Sequence, residues 1–194
     1  MGVKLVSSGG GSVEIAPPVT ASSFTATMPA GTGTVAVQGA STNIVSGTAV
    51  TASSTSVDFT GIPSWAKRIT VVFNGVSTAN SFILVRIGPI GSIETTGYVS
   101  SSGTVSSGNT GFVDSSTTGF ITRNGGAITG GLMMVLVNIS GNLWVQSHSG
   151  SSTGLSVTVG GGNKTVASTL GALRITTVNG TDAFTAGTIN ILYE

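Results

Sequence analysis

Residues 55–74, TSVDFTGIPSWAKRITVVFN, decide how this chain folds. Val57 and Phe59 are separated by one residue, the spacing that puts both on one face of a strand. Ile69, Val71 and Phe73 repeat that spacing after the corner GIPSW at residues 61–65. Pro63 cannot donate to a strand ladder, so the corner breaks the strand, and the spacing predicts one helical turn over residues 63–67. No apolar set recurs at helical spacing here. The stretch therefore predicts two strands around a corner, and it is the entrance to the core. Small polar residues dominate before it; apolar runs separated by Gly and Ser dominate after it.

Downstream, Asn74-Gly75 is a hairpin signal. Residues 82–87 form a nearly continuous apolar run, expected for a strand buried on both faces or at a subunit contact. Residues 93–99 predict a further strand, and residues 100–116 a long Ser/Gly/Thr loop anchored by Val105, Phe112 and Val113. Phe120 and Thr122 give a short strand, followed by a turn at Asn124-Gly125-Gly126. Residues 132–139 and 142–147 pair as a hairpin around Ser140-Gly141. Residues 155–159, 166–170 and 173–178 read as strands, Asn179-Gly180 as a turn, and residues 184–193 as the closing strand. Short strands at regular spacing with turn signals between them indicate an all-β fold, a jelly-roll-like antiparallel β-sandwich over residues 55–194.

Upstream, residues 1–40 read as an extended arm with short strands. Val3, Leu5 and Val13, Ile15 alternate on either side of Gly9-Gly10-Gly11, predicting a small hairpin. Phe24 and Met28 continue the sparse apolar pattern beyond Pro17-Pro18. So little apolar surface cannot offset backbone ordering at ~1–2 kcal/mol per residue. The arm is expected to intertwine or dock, with Val3, Leu5, Val13, Ile15, Phe24 and Met28 as its contacts. Residues 41–54 read as a linker of small residues.

Composition narrows the functions. Charged residues are 7% of the chain, against an average near 25%. Seven Lys and Arg, with Lys67-Arg68 the only adjacent pair, cannot build the basic face of a nucleic-acid binder. The longest compact apolar run, residues 132–137, is far below the ~18 residues that span a bilayer, so no membrane insertion is expected. A surface this poor in charge stays soluble through hydroxyls, or is buried against copies of itself or a larger assembly, and a mixture is expected. Cysteine is absent, which excludes disulfides and thiolate metal sites. The first residues lack the apolar region of a secretory signal, and Val6 stands where myristoylation wants Ser or Thr.

The motif matches fail on context. Residues 150–154 (GSSTG) fit G-x-S-x-G, but a nucleophile elbow needs a helix after it, and a strand is expected here. Residues 31–36 (GTGTVA) fit G-x-G-x-x-A without the helix that holds a pyrophosphate. Glu14, Asp58, Glu94, Asp114, Asp182 and Glu194 are dispersed, with nothing to pair two of them across a cleft as a glycosidase requires. Asp58 reads as a rim ion pair. No catalytic residue, cofactor site or metal site is expected. Trp144, Gln146 and His148 share one strand face. That face either stacks on a sugar or packs in the core or between subunits, where tryptophan is usually found.

Residues 3–36 also resemble the N-terminal segment of bacteriophage tail-fibre and other virion-surface proteins. The resemblance rests on the Gly9-Gly10-Gly11 turn, the Pro18-x-Thr20-x-Ser22 run, Met28-Pro29-Ala30 and Gly33-Thr34-Val35-Ala36. Residues 55–74 with the final DAFTAGTINILYE (residues 182–194) resemble the β-rich module that follows such segments in short phage structural proteins. The resemblance implies a homotrimer projecting from a capsid or tail, made in the host cytoplasm and resident on the virion surface. Its arm would attach to phage capsid or tail proteins. The shortness of the chain and the lack of a repeated shaft favour a capsid decoration or short head fibre. A tail fibre adsorbing to host surface polysaccharide, with Trp144, Gln146 or residues 100–117 in contact, is the alternative. A free carbohydrate-binding module and a depolymerase are less favoured.

Overall fold

The computed structural model describes residues 3–6, 8–10, 12–15, 44–108, 111–125, 130–152 and 156–194. The chain divides into two units, Met1–Val35 and Ala36–Glu194. In the first, β1 (Val3–Val6) and β2 (Ser12–Ile15) form an antiparallel hairpin with Val3 opposite Ile15 and Leu5 opposite Val13. This is the hairpin that the alternation around Gly9-Gly10-Gly11 predicts. Phe24 and Met28 lie outside the described residues.

The second unit holds every other described strand: β3 (Val45–Ser46), β4 (Val50–Thr51), β5 (Ser56–Thr60), β6 (Arg68–Thr78), β7 (Phe82–Gly88), β8 (Tyr98–Ser106), β9 (Gly111–Ser116), β10 (Phe120–Gly125), β11 (Gly131–Ser140), β12 (Leu143–Ser152), β13 (Ser156–Thr165), β14 (Ala172–Thr177) and β15 (Phe184–Tyr193). The smaller sheet has the order β10-β7-β14-β5, and the larger β3-β15-β6-β11-β12-β13-β8-β9, with β4 also on β15. The chain passes from β5 in the small sheet to β6 in the large one, back to β7, across to β8 and β9, back to β10, across to β11–β13, back to β14, and ends in β15. No strand of the small sheet pairs with its neighbour in sequence. This wrapping of two antiparallel sheets is jelly-roll-like, with β11–β13 as an added meander in the large sheet.

The core lies between the sheets. Val57, Phe59, Ile83, Val85, Ile87, Leu173 and Ile175 come from the small sheet, and Ile69, Val71, Phe73, Leu132, Met134, Leu136, Ile189 and Ile191 from the large one. Period-two spacing in residues 55–74 thus supplies both sheets. The corner between β5 and β6 is a tight turn, with the Ala66 N–H on Pro63 O at 3.0 Å. It replaces the expected helical turn. Trp65 leans on Tyr193 there, ring centres 5.7 Å apart.

Four expectations are corrected. Residues 44–54 are not a linker: β3 and β4 pair with β15, and Ala52 is buried, because the large sheet accepts short strands on its edge. Asn74-Gly75 is not a hairpin. Strand β6 continues to Thr78, and Gly75 at φ 61° marks a bend opposite Gly187 at φ 102°. Both are in the left-handed region open to glycine, and the β6–β15 register shifts beside them, as at bulges. Residues 100–116 are not a loop but most of the β8–β9 hairpin, because Ser and Thr pair well where their hydroxyls find partners. Finally, β13 runs through Gly160-Gly161-Gly162 to Thr165, so residues 166–170 are connection rather than strand.

Candidate functional site

Strand β12 alternates Trp144, Gln146 and His148 with Val145, Ser147 and Ser149. Register sets which set faces inward. Gln146 lies opposite Leu136 on β11 and Gly162 on β13, and Leu136 is in the core. Trp144, Gln146 and His148 therefore point between the sheets, and all three are buried. They share a face, as the spacing predicts, and it is the inner one. Of the two readings that the spacing leaves open, sugar stacking and packing, the burial of Trp144, Gln146 and His148 is that of core residues.

Glycines on β13 make the space. A Cβ on Gly160 would stand 2.3 Å from His148 Cε1, and one on Gly162 2.2 Å from Val99 O. Into that space His148 brings Nε2 to 2.9 Å from Ser102 Oγ on β8. Its Nδ1 is 2.7 Å from Gln146 Nε2. Both ring nitrogens are thus engaged by protein side chains. Ser102 in turn donates to Val159 O at 3.4 Å. Thr104 and Thr158 hydroxyls meet at 3.0 Å alongside. Burial pushes the His148 pKa down to about 4, so the ring is neutral at pH 7.

Serine, histidine and a third group in line resemble a nucleophile array. What such an array needs is missing. The third group is an amide rather than a carboxylate, and Ser102 and His148 are both buried. Gln146 Oε1 has no protein partner. The array is a buried polar network joining β8, β12 and β13.

A second polar cluster sits nearby. Lys164, buried on β13, forms an ion pair with Glu94 and lies 5.2 Å above the Tyr98 ring. The Tyr98 hydroxyl receives the Ile87 N–H at 2.7 Å and reaches Ile87 O and Glu94 O at 3.0 and 3.1 Å. Its ring meets Phe120 edge-on, centres 5.0 Å apart. Burial raises the Glu94 pKa, but hydrogen bonds from the Ala167 N–H and Lys164, with the Lys164 charge, outweigh it and leave Glu94 below the ordinary value. Burial holds the Tyr98 phenol well above its ordinary value.

The other carboxylates are engaged separately. Asp58 binds Arg174 in a two-pronged pair at 2.7 and 2.6 Å. It is the surface ion pair expected, with a partner other than the neighbouring Lys67-Arg68. Arg68 pairs instead with Glu194 at 2.9 Å. Asp182 receives the Asn80 and Ser81 N–H groups and the Asn179 amide, which lower its pKa. Among the described residues, no three metal-ligating side chains come together. Among the described residues, no helix is long and apolar enough to cross a membrane.

No family model, no curated protein and no solved structure matches the chain. The site is read from geometry alone.

Recesses mark the surface at several places, and two of them touch β11. One of ≈ 100 Å³ lies beside the β11–β12 turn, between Lys67, Asn138, Asn142 and Trp144. The other, of ≈ 350 Å³, lies on the outer side of the large sheet, between Ile44, Val72, Met133 and Leu192. The second continues a feature that sequence reasoning missed. On β12, β13 and β8 the inner face carries Gln146, His148, Thr158, Ser100 and Ser102, all buried, while the outer face carries exposed valines. The signal was present in YVSSSGTVS (residues 98–106), where Val99 and Val105 alternate with serines. Periodicity shows two faces; it does not say which is inside.

Proposed function

We propose that this chain is a non-enzymatic bacteriophage virion structural protein, a homotrimeric surface projection of the capsid-decoration or short head-fibre type. The observation that carries the reading is the division into a small N-terminal hairpin unit and a separate sandwich. A sandwich with its own core can face outward while a short arm attaches to the particle. The resemblance of residues 3–36 to virion-surface N-terminal segments supports the same assignment of roles. So does the neutral, inaccessible Ser102–His148 pair, which offers no nucleophile. The tail-fibre reading loses support because Trp144 is buried.

The test is reconstruction of the particle that carries the chain. Three copies per projection on the capsid surface are expected. Density at the tail alone would favour the adsorption fibre, and absence from the particle would overturn the virion reading. Removing residues 1–35 should abolish attachment while leaving the melting of the sandwich unchanged.

A further inference from the structure

In a half-exposed antiparallel sheet, the apolar residues of each strand face the core and the polar ones face water. The β12–β13–β8–β9 half of the large sheet reverses this. Val99, Val105, Val113, Val157 and Val159 point outward with 53% to 75% of their surface exposed. Register joins four of them in one patch: Val157 lies directly opposite Val105, Val159 opposite Gly103, and Gly103 opposite Val113. Ser102, Thr104, Thr158 and His148 are turned inward and bonded to one another, while Ser101, Ser147 and Ser149 stand among the valines outside. Valine is thus spent outside while polar side chains fill space inside.

The same face lacks charge. On β11, β12, β13, β8 and β9 the charged side chains among the described residues are Lys164 and Asp114. Lys164 is buried against Glu94, and Asp114 stands opposite Ser102, on the inner side of the register. The outer face of the small sheet differs, with Asp58, Arg174 and Arg86 in a row across three strands. Edge strands and exposed faces are usually protected by lysine or proline, and β9, GFVDSS, has neither.

We infer that the outer face of β11, β12, β13, β8 and β9 is the surface through which copies of this chain pack on one another. This deepens the self-association in the proposed function and rests on it. The occupant is a second copy because a foreign charged surface laid on this face would lose its water and gain no partner. The chain's own face, turned towards a threefold axis by each of three copies, meets surface matched in its lack of charge and its mix of valine and hydroxyl. Depletion of charge is also what distinguishes the centre of protein interfaces. Five strands at ~4.8 Å spacing and ~3.3 Å rise per residue give a face on the order of 600 Å², close to the ~800 Å² that each partner gives to a standard interface. A lipid surface is disfavoured because the face carries no basic residue and no tryptophan to hold headgroups.

The experiment is light scattering on the full chain and three single variants: Val159→Glu, Ser101→Arg and, as a control on the small sheet, Thr60→Glu. Circular dichroism and a cooperative melt establish folding of each. The expected result is a trimer for the parent and for Thr60→Glu, with a threefold loss of mass for Val159→Glu and Ser101→Arg. Ser101 is exposed on the same face, so the second variant stands if the first fails to fold. Folded trimers from both would overturn the surface while leaving self-association intact. A monomeric parent would overturn self-association itself, and flotation of that monomer with phosphatidylcholine vesicles would assign the face to lipid.

Discussion

His148 Nε2 stands 2.9 Å from Ser102 Oγ, joining β12 to β8 across the three glycines of β13. The contact is buried and neutral, and it makes this region sensitive to acid. His148 is the only histidine. Its pKa falls from 6.5 to about 4 on burial, so between those values the unfolded chain holds a proton that the folded one does not. Stability is therefore full above pH 6.5 and falls as the pH drops towards 4, by up to about 3 kcal/mol. Melting curves across pH 4 to 7.5 should show this slope, and His148→Gln should remove it. A parent melting point that is flat over that range would contradict the buried neutral ring. Glu94 and Asp182, both held below their ordinary values, lose their contributions at lower pH than the histidine does.

Lys164 and Glu94 are expected to depend on each other. Removing one partner of a buried pair strands the other charge, whereas removing both is much milder. Glu94→Gln strands the buried Lys164 and should cost roughly 3 kcal/mol in urea unfolding, and Glu94→Gln with Lys164→Met should recover most of it. Additive losses from the two substitutions would show that the pair is not coupled.

Gly187 should tolerate no side chain. Its φ of 102° is unfavourable for alanine, and a Cβ would stand 2.4 Å from Val76 Cα. Gly187→Ala is expected to lower stability by roughly 3 kcal/mol. An unchanged melt would mean that β6 and β15 do not bend together at this bulge.

Which of this could be read from the sequence follows from what periodicity encodes. Strands β5 and β6 were legible because Val57, Phe59, Ile69, Val71 and Phe73 are bulky, alternate, and are flanked by a proline corner. The β11–β12 hairpin was legible for the same reason. Strand β8 was legible only as far as Val99, because residues 100–104 carry no bulky apolar side chain; the hydroxyls of Ser102 and Thr104 are paired indoors instead. Gly75 was misread because a glycine at positive φ serves a bulge as well as a turn; the partner that decides, Gly187, is far away in sequence. The pairing of Trp144, Gln146 and His148 was visible, but their direction was not, since it depends on Leu136 across the sheet.

The C-terminal strand should be indispensable. Ile189 and Ile191 are buried, β15 pairs along β6, and the Glu194 carbonyl receives the Lys67 and Arg68 N–H groups at 2.7 and 2.9 Å. A chain ending at Thr188 exposes the β6 edge and opens the core, so no cooperative melt is expected. A cooperative transition from that truncated chain would contradict this placement of β15.

Self-association is the point on which the reading turns, and the mass of the full chain in solution tests it most directly. Light scattering at micromolar concentration should return three times the 19.1 kDa of one chain. A mass of 19.1 kDa, held as the concentration is raised, would contradict it.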